Sequence, residues 1–356
     1  MKDNTKEAFF SLIKAGLWEK EVCLSSYGNI DYGRLFILAQ EQAVDGLIAA
    51  GFEHVEDVKV PQDVALAFAG SALQLEQRNV AMNGFIAAIV AQMRKVGIYT
   101  LLIKGQGIAQ CYERPLWRVP GDIDFFLSND NYQKAKDFMM PLSSGNKQER
   151  QYSKELEMCV DSWFVELHGS QRTGLSSKLD KEIDCLQRTI FYEGNVRSWL
   201  NGNTQVFLPK ADEDVLFVFT CFLKHFYKDE EVSLRQLCDW CRLIYCYHKE
   251  LNIHLLEQRI SRMGLMSEWK SFSEVVVKYL DMPKEIMPLY KDSWRLKSKA
   301  DRIVNKILKV ENKGRLYAVL SASSIFPYST MRFLPGILFD VNWLKVKERF
   351  FINPSI

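Results

Sequence analysis

A change of hydrophobic pattern near residue 97 constrains the fold of this chain more than any other sequence feature. Before it, apolar residues recur at the three- and four-residue spacing of amphipathic helices, as in residues 9–17 and 35–47. After it, residues 98–103 and 122–127 are short apolar runs, which are typical of buried strands. Long helical stretches and short strands in separate parts of one chain predict the α+β class.

Three regions follow from this pattern. Residues 1–95 are predicted to form a helical N-terminal region, because Gly97 comes after two basic residues that favour a helix C-terminus. Residues 96–210 are predicted to form an α/β core with a small mixed sheet. Helical spacing returns at residue 211, so that residues 211–356 are predicted to form a helical C-terminal region.

Further strands are predicted inside the core region. Residues 156–160 and 163–168 make a hairpin around Asp161 and Ser162. Residues 206–208 predict one more short strand. Together with the two runs above, these segments complete the small sheet on which the functional residues are expected to lie.

Composition excludes several classes of protein. Of the 356 residues, 47% are hydrophobic and 25% are charged, which is ordinary for a globular chain. The 46 basic and 44 acidic residues leave a net charge of only +2, so a partner held mainly through nucleic-acid phosphates is not favoured. Eight dispersed cysteines and no signal-like N-terminus indicate a cytoplasmic protein with reduced thiols. The longest uncharged run near the C-terminus, residues 316–331, is too short to span a membrane.

Two carboxylates share one face of the second predicted strand. Asp122 and Asp124 are two positions apart, so their side chains point the same way at a separation of ~6.5–7 Å. Burying them without a cation is costly, and carboxylate oxygens favour Mg²⁺ or Mn²⁺. Glu166 lies on another predicted strand and joins them if the two strands are neighbours. The alternative is that the two aspartates lie on a solvated strand edge.

A glycine turn follows the first predicted strand. Lys104, Gly105, Gln106 and Gly107 come directly after residues 98–103. A strand, a glycine turn and a helix can present backbone N–H groups to a triphosphate, and Lys104 can add a positive charge near the phosphates. Taken alone, such a turn is equally consistent with an ordinary helix cap.

These segments together resemble a known family. Residues 101–105, 121–126 and 166–168, with Arg118 between them, are similar to the uncharacterised nucleotidyltransferase family of the DNA polymerase β-like nucleotidyltransferase superfamily. The resemblance extends over residues 80–245. The wider superfamily usually has glycine and serine where this chain has glycine and glutamine at the turn.

The resemblance implies a site and a reaction. Asp122, Asp124 and Glu166 would be the catalytic residues and the metal ligands, with Glu166 also a candidate base. The residues implied in nucleotide binding are Lys104, Gly105, Gln106, Arg118 and His168. Transfer of a nucleoside monophosphate from a nucleoside triphosphate, expected to be ATP, to a hydroxyl of a small molecule or protein is implied, with two Mg²⁺ (or Mn²⁺) ions.

The sequence alone leaves open two other functions of the chain and the ion-pair partners of two arginines. The chain could be a catalytically inactive, nucleotide- or ligand-binding regulatory or interaction module, or a transferase that modifies RNA. Arg118 could contact phosphate or pair with Glu113 or Asp122. Arg235 and Asp239 are four positions apart, which predicts an ion pair on a helix surface.

Overall fold

The chain folds around one mixed sheet with helices from both of its ends packed against it. The computed structural model describes residues 4–152, 154–194, 196–228, 232–309 and 315–338. The predicted α+β class is confirmed. Within the described residues, no helix has both the length and the apolar character needed to cross a membrane.

Long helices precede the sheet. They are α1 (Asn4–Trp18), α2 (Tyr32–Glu41), α3 (Asp45–Glu53) and α4 (Gln62–Lys95). Helix α4 begins after Pro61, because proline fixes a backbone angle suited to a helix start and has no N–H to leave unbonded. It ends just before Gly97, which adopts a positive φ of 76°, as the sequence predicts.

The central region alternates strands and helices. Its elements are β1 (Leu101–Ile103), α5 (Gly105–Ala109), β2 (Ile123–Phe126), α6 (Asn129–Met139), β3 (Ser143–Arg150), β4 (Glu155–Val160), β5 (Trp163–His168), α7 (Ser177–Glu193), β6 (Val196–Asn201) and β7 (Thr204–Pro209). The strands predicted around Leu102, Phe125 and Phe207 and the hairpin around Asp161 are confirmed. Asp161 and Ser162 both have positive φ, which is typical of a two-residue hairpin turn of type I′.

Helices again follow the last strand. They are α8 (Ala211–Lys228), α9 (Leu234–Tyr247), α10 (Ile253–Met263), α11 (Met266–Leu280), α12 (Trp294–Ile307), α13 (Arg315–Ile325) and α14 (Pro327–Leu338). Helix α8 is apolar nearly all round, and its Val215, Phe219 and Leu223 are fully buried. The ring of Phe219 stacks on Trp240 of α9 with centroids 5.2 Å apart, which fixes α8 and α9 against each other.

The sheet has the order β3-β4-β5-β2-β1-β7-β6 among the described strands. At its centre β1 is antiparallel to β2, whereas β2 is parallel to β5 and β1 is parallel to β7. The parallel pairing of β2 with β5 matters most, because it aligns Asp124 with Glu166 and Phe126 with His168.

The first and last helical regions share one hydrophobic core. The rings of Phe10 and Tyr279 lie 4.8 Å apart, and Trp18 Nε1 donates a hydrogen bond of 2.6 Å to the carbonyl of Leu280. The contacts show that helices preceding the sheet in the chain pack against helices that follow it. The division of the chain at residues 95 and 210 stays a prediction.

Helices α1 and α3 cross with their backbones in contact. A Cβ added to Gly16 would lie 1.9 Å from the carbonyl oxygen of Leu47, and one added to Gly51 would lie 2.3 Å from that of Leu12. Neither neighbour is a side chain that can turn away. The small residues are therefore required for the close approach of the two helices.

We expect Gly16→Ala to destabilise the protein by about 2–3 kcal/mol, because the added methyl group forces the two helices apart. Urea unfolding followed by circular dichroism measures the change. Gly70→Ala in α4 is the matched control, since nothing lies within 4 Å of its added Cβ. That change should stabilise by about 0.5–1 kcal/mol, so equal effects of the two substitutions would contradict the close crossing.

Candidate active site

The turn after β1 holds an unusual backbone. Lys104 has φ 57° and ψ −152°, a conformation that costs a non-glycine residue about 1–3 kcal/mol. It directs the ammonium group to the face of the sheet, where Nζ lies 3.0 Å from Oδ1 of Asp124. Gly105 follows with φ 45° and begins α5. Strain of this kind is characteristic of functional sites, because the surrounding fold must maintain it.

Asp124, Glu166 and His168 meet on the two parallel strands. Asp124 is only 6% exposed, and its Oδ1 lies 2.8 Å from His168 Nε2. The same nitrogen lies 3.1 Å from Oε2 of Glu166. Glu166 and His168 are two positions apart on β5, so the sequence places them on one face, as it does Asp122 and Asp124.

The charges of this cluster are strongly coupled. Burial alone would raise the pKa of Asp124, but the positive charge of Lys104 and the hydrogen bond from His168 hold it below its ordinary value. Burial alone would lower the pKa of His168, but its hydrogen bonds to Asp124 and Glu166 raise it to about 9. At neutral pH, the imidazole is therefore protonated and donates to the carboxylates.

Asp122 lies at the mouth of the same cavity, immediately before β2, and is exposed. Partial desolvation, together with the negative charges of Glu166 and Asp124, raises the pKa of its carboxyl group to about 6. The carboxyl group of Asp122 is therefore protonated more readily than that of an ordinary aspartate. The predicted trio lines one cavity, although the ligand atoms that lie within 4.8 Å of one another are those of Asp124, Glu166 and His168.

The cavity has a volume of about 440 Å³. Residues of β2, β4 and β5 line one side of it, and residues of α8 and α9 line another. Lys104 and Gly105 of the predicted phosphate turn line it. This volume suits a small polar substrate, because ligand sites in proteins range over ~300–1,000 Å³.

The side chain of Gln106 points away from the cavity and towards α4. It is 2% exposed, and Nε2 donates to Oδ1 of Asn79 in α4 at a distance of 2.6 Å. The side chain therefore ties α5 to α4 and does not reach the cavity in this arrangement. The nucleotide contact that the resemblance implies for Gln106 stays a prediction.

Arg118 and Asp239 form a buried pair that the sequence did not predict. Nε and Nη2 of Arg118 donate to the two carboxylate oxygens of Asp239 at 2.6 and 2.7 Å, and Tyr112 adds a third hydrogen bond at 2.8 Å. Asp239 is 5% exposed, so the expected surface ion pair with Arg235 is wrong: this face of α9 packs against the core. The phosphate contact expected of Arg118 stays a prediction.

Two further glutamates lie beside the cluster of Asp124, Glu166 and His168. Glu155 and Glu157 of β4 have carboxylate oxygens within 4.8 Å of Glu166, and Arg150 lies 2.6 and 2.9 Å from them. Neither residue is among those that the sequence predicts for the site. Their spacing of two was the available signal, because such residues share a face of a strand, although Glu155 precedes the predicted strand over residues 156–160 by one position.

Comparison with known proteins identifies the family. The family profile described as "Uncharacterised nucleotidyltransferase" matches residues 28–274, which include every residue discussed for the cavity. No curated protein and no solved structure matched the chain in the corresponding comparisons. The match covers more than half of the chain, and the fold brings the carboxylates to one cavity. The chain therefore belongs to the uncharacterised nucleotidyltransferase family.

Proposed function

We propose that this chain transfers a nucleoside monophosphate from a nucleoside triphosphate, with ATP the expected donor, to a hydroxyl group of a small molecule or protein. The acceptor oxygen bonds to the α-phosphorus, the bond from that phosphorus to its bridging oxygen breaks, and pyrophosphate leaves. The DNA polymerase β-like superfamily is the proposed wider relationship. The family match supports nucleotidyl transfer in general, and the cavity supports the more specific assignment.

One observation carries the proposal: the parallel register of β2 and β5 sets Asp124 opposite Glu166 in the wall of a cavity that Asp122 also lines. Three carboxylates from two distant segments are not needed there for packing. Burial, together with the negative charges of Glu166 and Asp124, raises the pKa of Asp122, so the ionised cluster is costly to maintain. A site that binds a cation and a polyanion together explains why such a cluster exists.

The residues present fit a hard divalent cation. Asp122, Asp124 and Glu166 would hold it through oxygen atoms, the ligand type that Mg²⁺ and Mn²⁺ prefer. When bound, such an ion would lower the pKa of an acceptor hydroxyl and neutralise phosphate charge. Burial and the neighbouring carboxylates disfavour the ionised form of Asp122, a cost that a bound cation would remove.

The chain's own groups have separate tasks in this proposal. His168 holds the carboxylates of Asp124 and Glu166 in fixed positions by donating to them from Nε2. Lys104 keeps Asp124 ionised. Glu166 is the carboxylate proposed to take the acceptor proton, since its side chain is 19% exposed whereas that of Asp124 is 7% exposed.

We expect ATP with Mg²⁺ to stabilise the protein by about 2.7 kcal/mol at one hundred times the dissociation constant, as measured by thermal unfolding. Asp122→Asn should remove most of this stabilisation, because the carboxylate at the cavity mouth is lost. Asp130→Asn, at an exposed position outside the cavity, should not change it. Stabilisation that survives Asp122→Asn unchanged would exclude Asp122 from the site.

Turnover distinguishes the proposal from its alternative. Release of pyrophosphate from ATP in the presence of a metabolite or protein extract supports transfer. Nucleotide binding without pyrophosphate release with any acceptor would favour a catalytically inactive regulatory module. RNA binding that weakens steeply with salt would instead favour an RNA-modifying transferase.

A further inference from the structure

Arg235 is a cation in the cavity wall that no carboxylate neutralises through a hydrogen bond among the described residues. Its Nη1 donates to the backbone carbonyls of Val119 and Pro120 at 3.1 and 2.9 Å. Its Nε is buried and has no hydrogen-bond partner in the described part of the chain. An unmatched guanidinium in a largely desolvated place is costly unless a ligand completes it.

The other arginine and lysine side chains that line the cavity differ from Arg235 in this respect. Each lies within ion-pair distance of a carboxylate: the pairs are Lys104 with Asp124, Arg118 with Asp239, Arg150 with Glu155, Arg172 with Asp184, and Lys224 with Glu155. The charge of Arg118 also repels Arg235, and burial together with that repulsion lowers the pKa of Arg235. Among the described residues, Arg235 is therefore the arginine of the cavity wall that has no carboxylate within ion-pair distance.

The absence of a side chain at Gly121 leaves room for the guanidinium of Arg235 in the cavity wall. A Cβ added to Gly121 would lie 3.3 Å from Nη2 of Arg235, so a larger residue would crowd the guanidinium. The next residue along the chain is Asp122, whose carboxyl group is close enough for its pKa to be lowered by the charge of Arg235. Arg235 and Asp122 therefore lie near each other in the cavity wall.

We propose that Arg235 binds the phosphate chain of the nucleotide, the part that leaves as pyrophosphate. This inference rests on the proposed function. A guanidinium group offers paired N–H donors that match phosphate oxygens, and it stays charged at any physiological pH. Arg235 belongs to α9, so the C-terminal helices contribute directly to substrate binding, whereas Arg118 is already occupied by Asp239.

Inorganic tripolyphosphate tests this assignment without a base, a sugar or an acceptor. In titration calorimetry, we expect Arg235→Gln to weaken its binding about tenfold, the loss that accompanies removal of a charged hydrogen bond. Arg235→Lys should retain part of the affinity, because it keeps the positive charge. Arg172→Gln is the matched control, since Arg172 lines the same cavity but is paired with Asp184, and it should bind nearly as the unaltered chain does.

A second measurement does not depend on any variant folding. Phenylglyoxal modifies accessible arginine side chains, and peptide mass spectrometry locates the modified residues. Tripolyphosphate should protect Arg235 of the unaltered protein from this reagent. Three results would each overturn the assignment: failure of the protein to bind tripolyphosphate, equal affinity of the unaltered chain and the Arg235→Gln variant, or modification of Arg235 that tripolyphosphate does not slow.

The outcomes separate this inference from the proposed function. If the protein releases pyrophosphate from ATP but Arg235→Gln binds tripolyphosphate as tightly as the unaltered chain, the role of Arg235 is refuted and nucleotidyl transfer stands. If tripolyphosphate binds through Arg235 but ATP with Mg²⁺ neither binds nor reacts, the anion site stands and nucleotidyl transfer is refuted.

Discussion

Asp124→Asn is expected to reduce nucleotidyl transfer by ~10³-fold or more while leaving the fold intact, because it removes one charge and keeps the shape of the side chain. Asp124 is the most buried of the three carboxylates and the one that both Lys104 and His168 contact. Its amide replacement can still accept a hydrogen bond. The loss therefore reports the missing negative charge, and steady-state pyrophosphate release is the appropriate measurement.

A change at His168 should accompany that loss. The pKa of His168 is raised to about 9 in part by Asp124, so it should fall in Asp124→Asn, and NMR titration of the imidazole can follow it. Asp161→Asn in the β4–β5 turn is the control, since asparagine also tolerates the positive φ of 49° found there. Asp124→Asn turnover equal to that of Asp161→Asn would remove Asp124 from the reaction.

Local signals in the sequence predicted the elements that end at proline, glycine or a polar turn. They did not predict the break between α2 and α3, which interrupts the helical spacing of residues 35–47. At this break, Gln42 accepts hydrogen bonds from the backbone amides of Leu234 and Arg235 at 3.0 and 3.2 Å. It thereby satisfies the first amides of α9, a contact between distant parts of the chain that no local pattern contains.

Strand β3 and helix α7 were missed for a different reason. Strand β3 is polar throughout and pairs only with β4 among the described strands, at the edge of the sheet, so it has no apolar alternation to detect. Helix α7 does have apolar residues at helical spacing, and its Leu179, Ile183 and Ile190 are buried. This signal was available in the sequence.

The candidate site was partly predictable because residues two apart on a strand share a face. This rule gave the pair Asp122 and Asp124 and the pair Glu166 and His168. It could not show that β2 and β5 are parallel neighbours, which depends on the topology of the whole sheet. It also could not find the partner of Arg118, because Asp239 lies 121 positions away.

Arg118→Met is expected to destabilise the protein by about 3–5 kcal/mol, because it removes one partner of a buried ion pair. Asp239 would then be a buried carboxylate with only the hydroxyl of Tyr112 beside it among the hydrogen bonds described here. Asp239→Leu should act in the same direction, because it leaves the guanidinium of Arg118 unmatched. Urea unfolding without nucleotide measures both effects separately from any role in binding.

The double substitution Arg118→Met with Asp239→Leu decides what the pair contributes. If the cost of each single change is that of an isolated buried charge, removing both charges should restore most of the lost stability. Lys20→Met, which removes an exposed pair of 3.7 Å with Asp281, should cost no more than about 1 kcal/mol. Additive losses in the double variant would show instead that the two side chains stabilise the protein through their packing, and that the fold does not depend on their charges being matched.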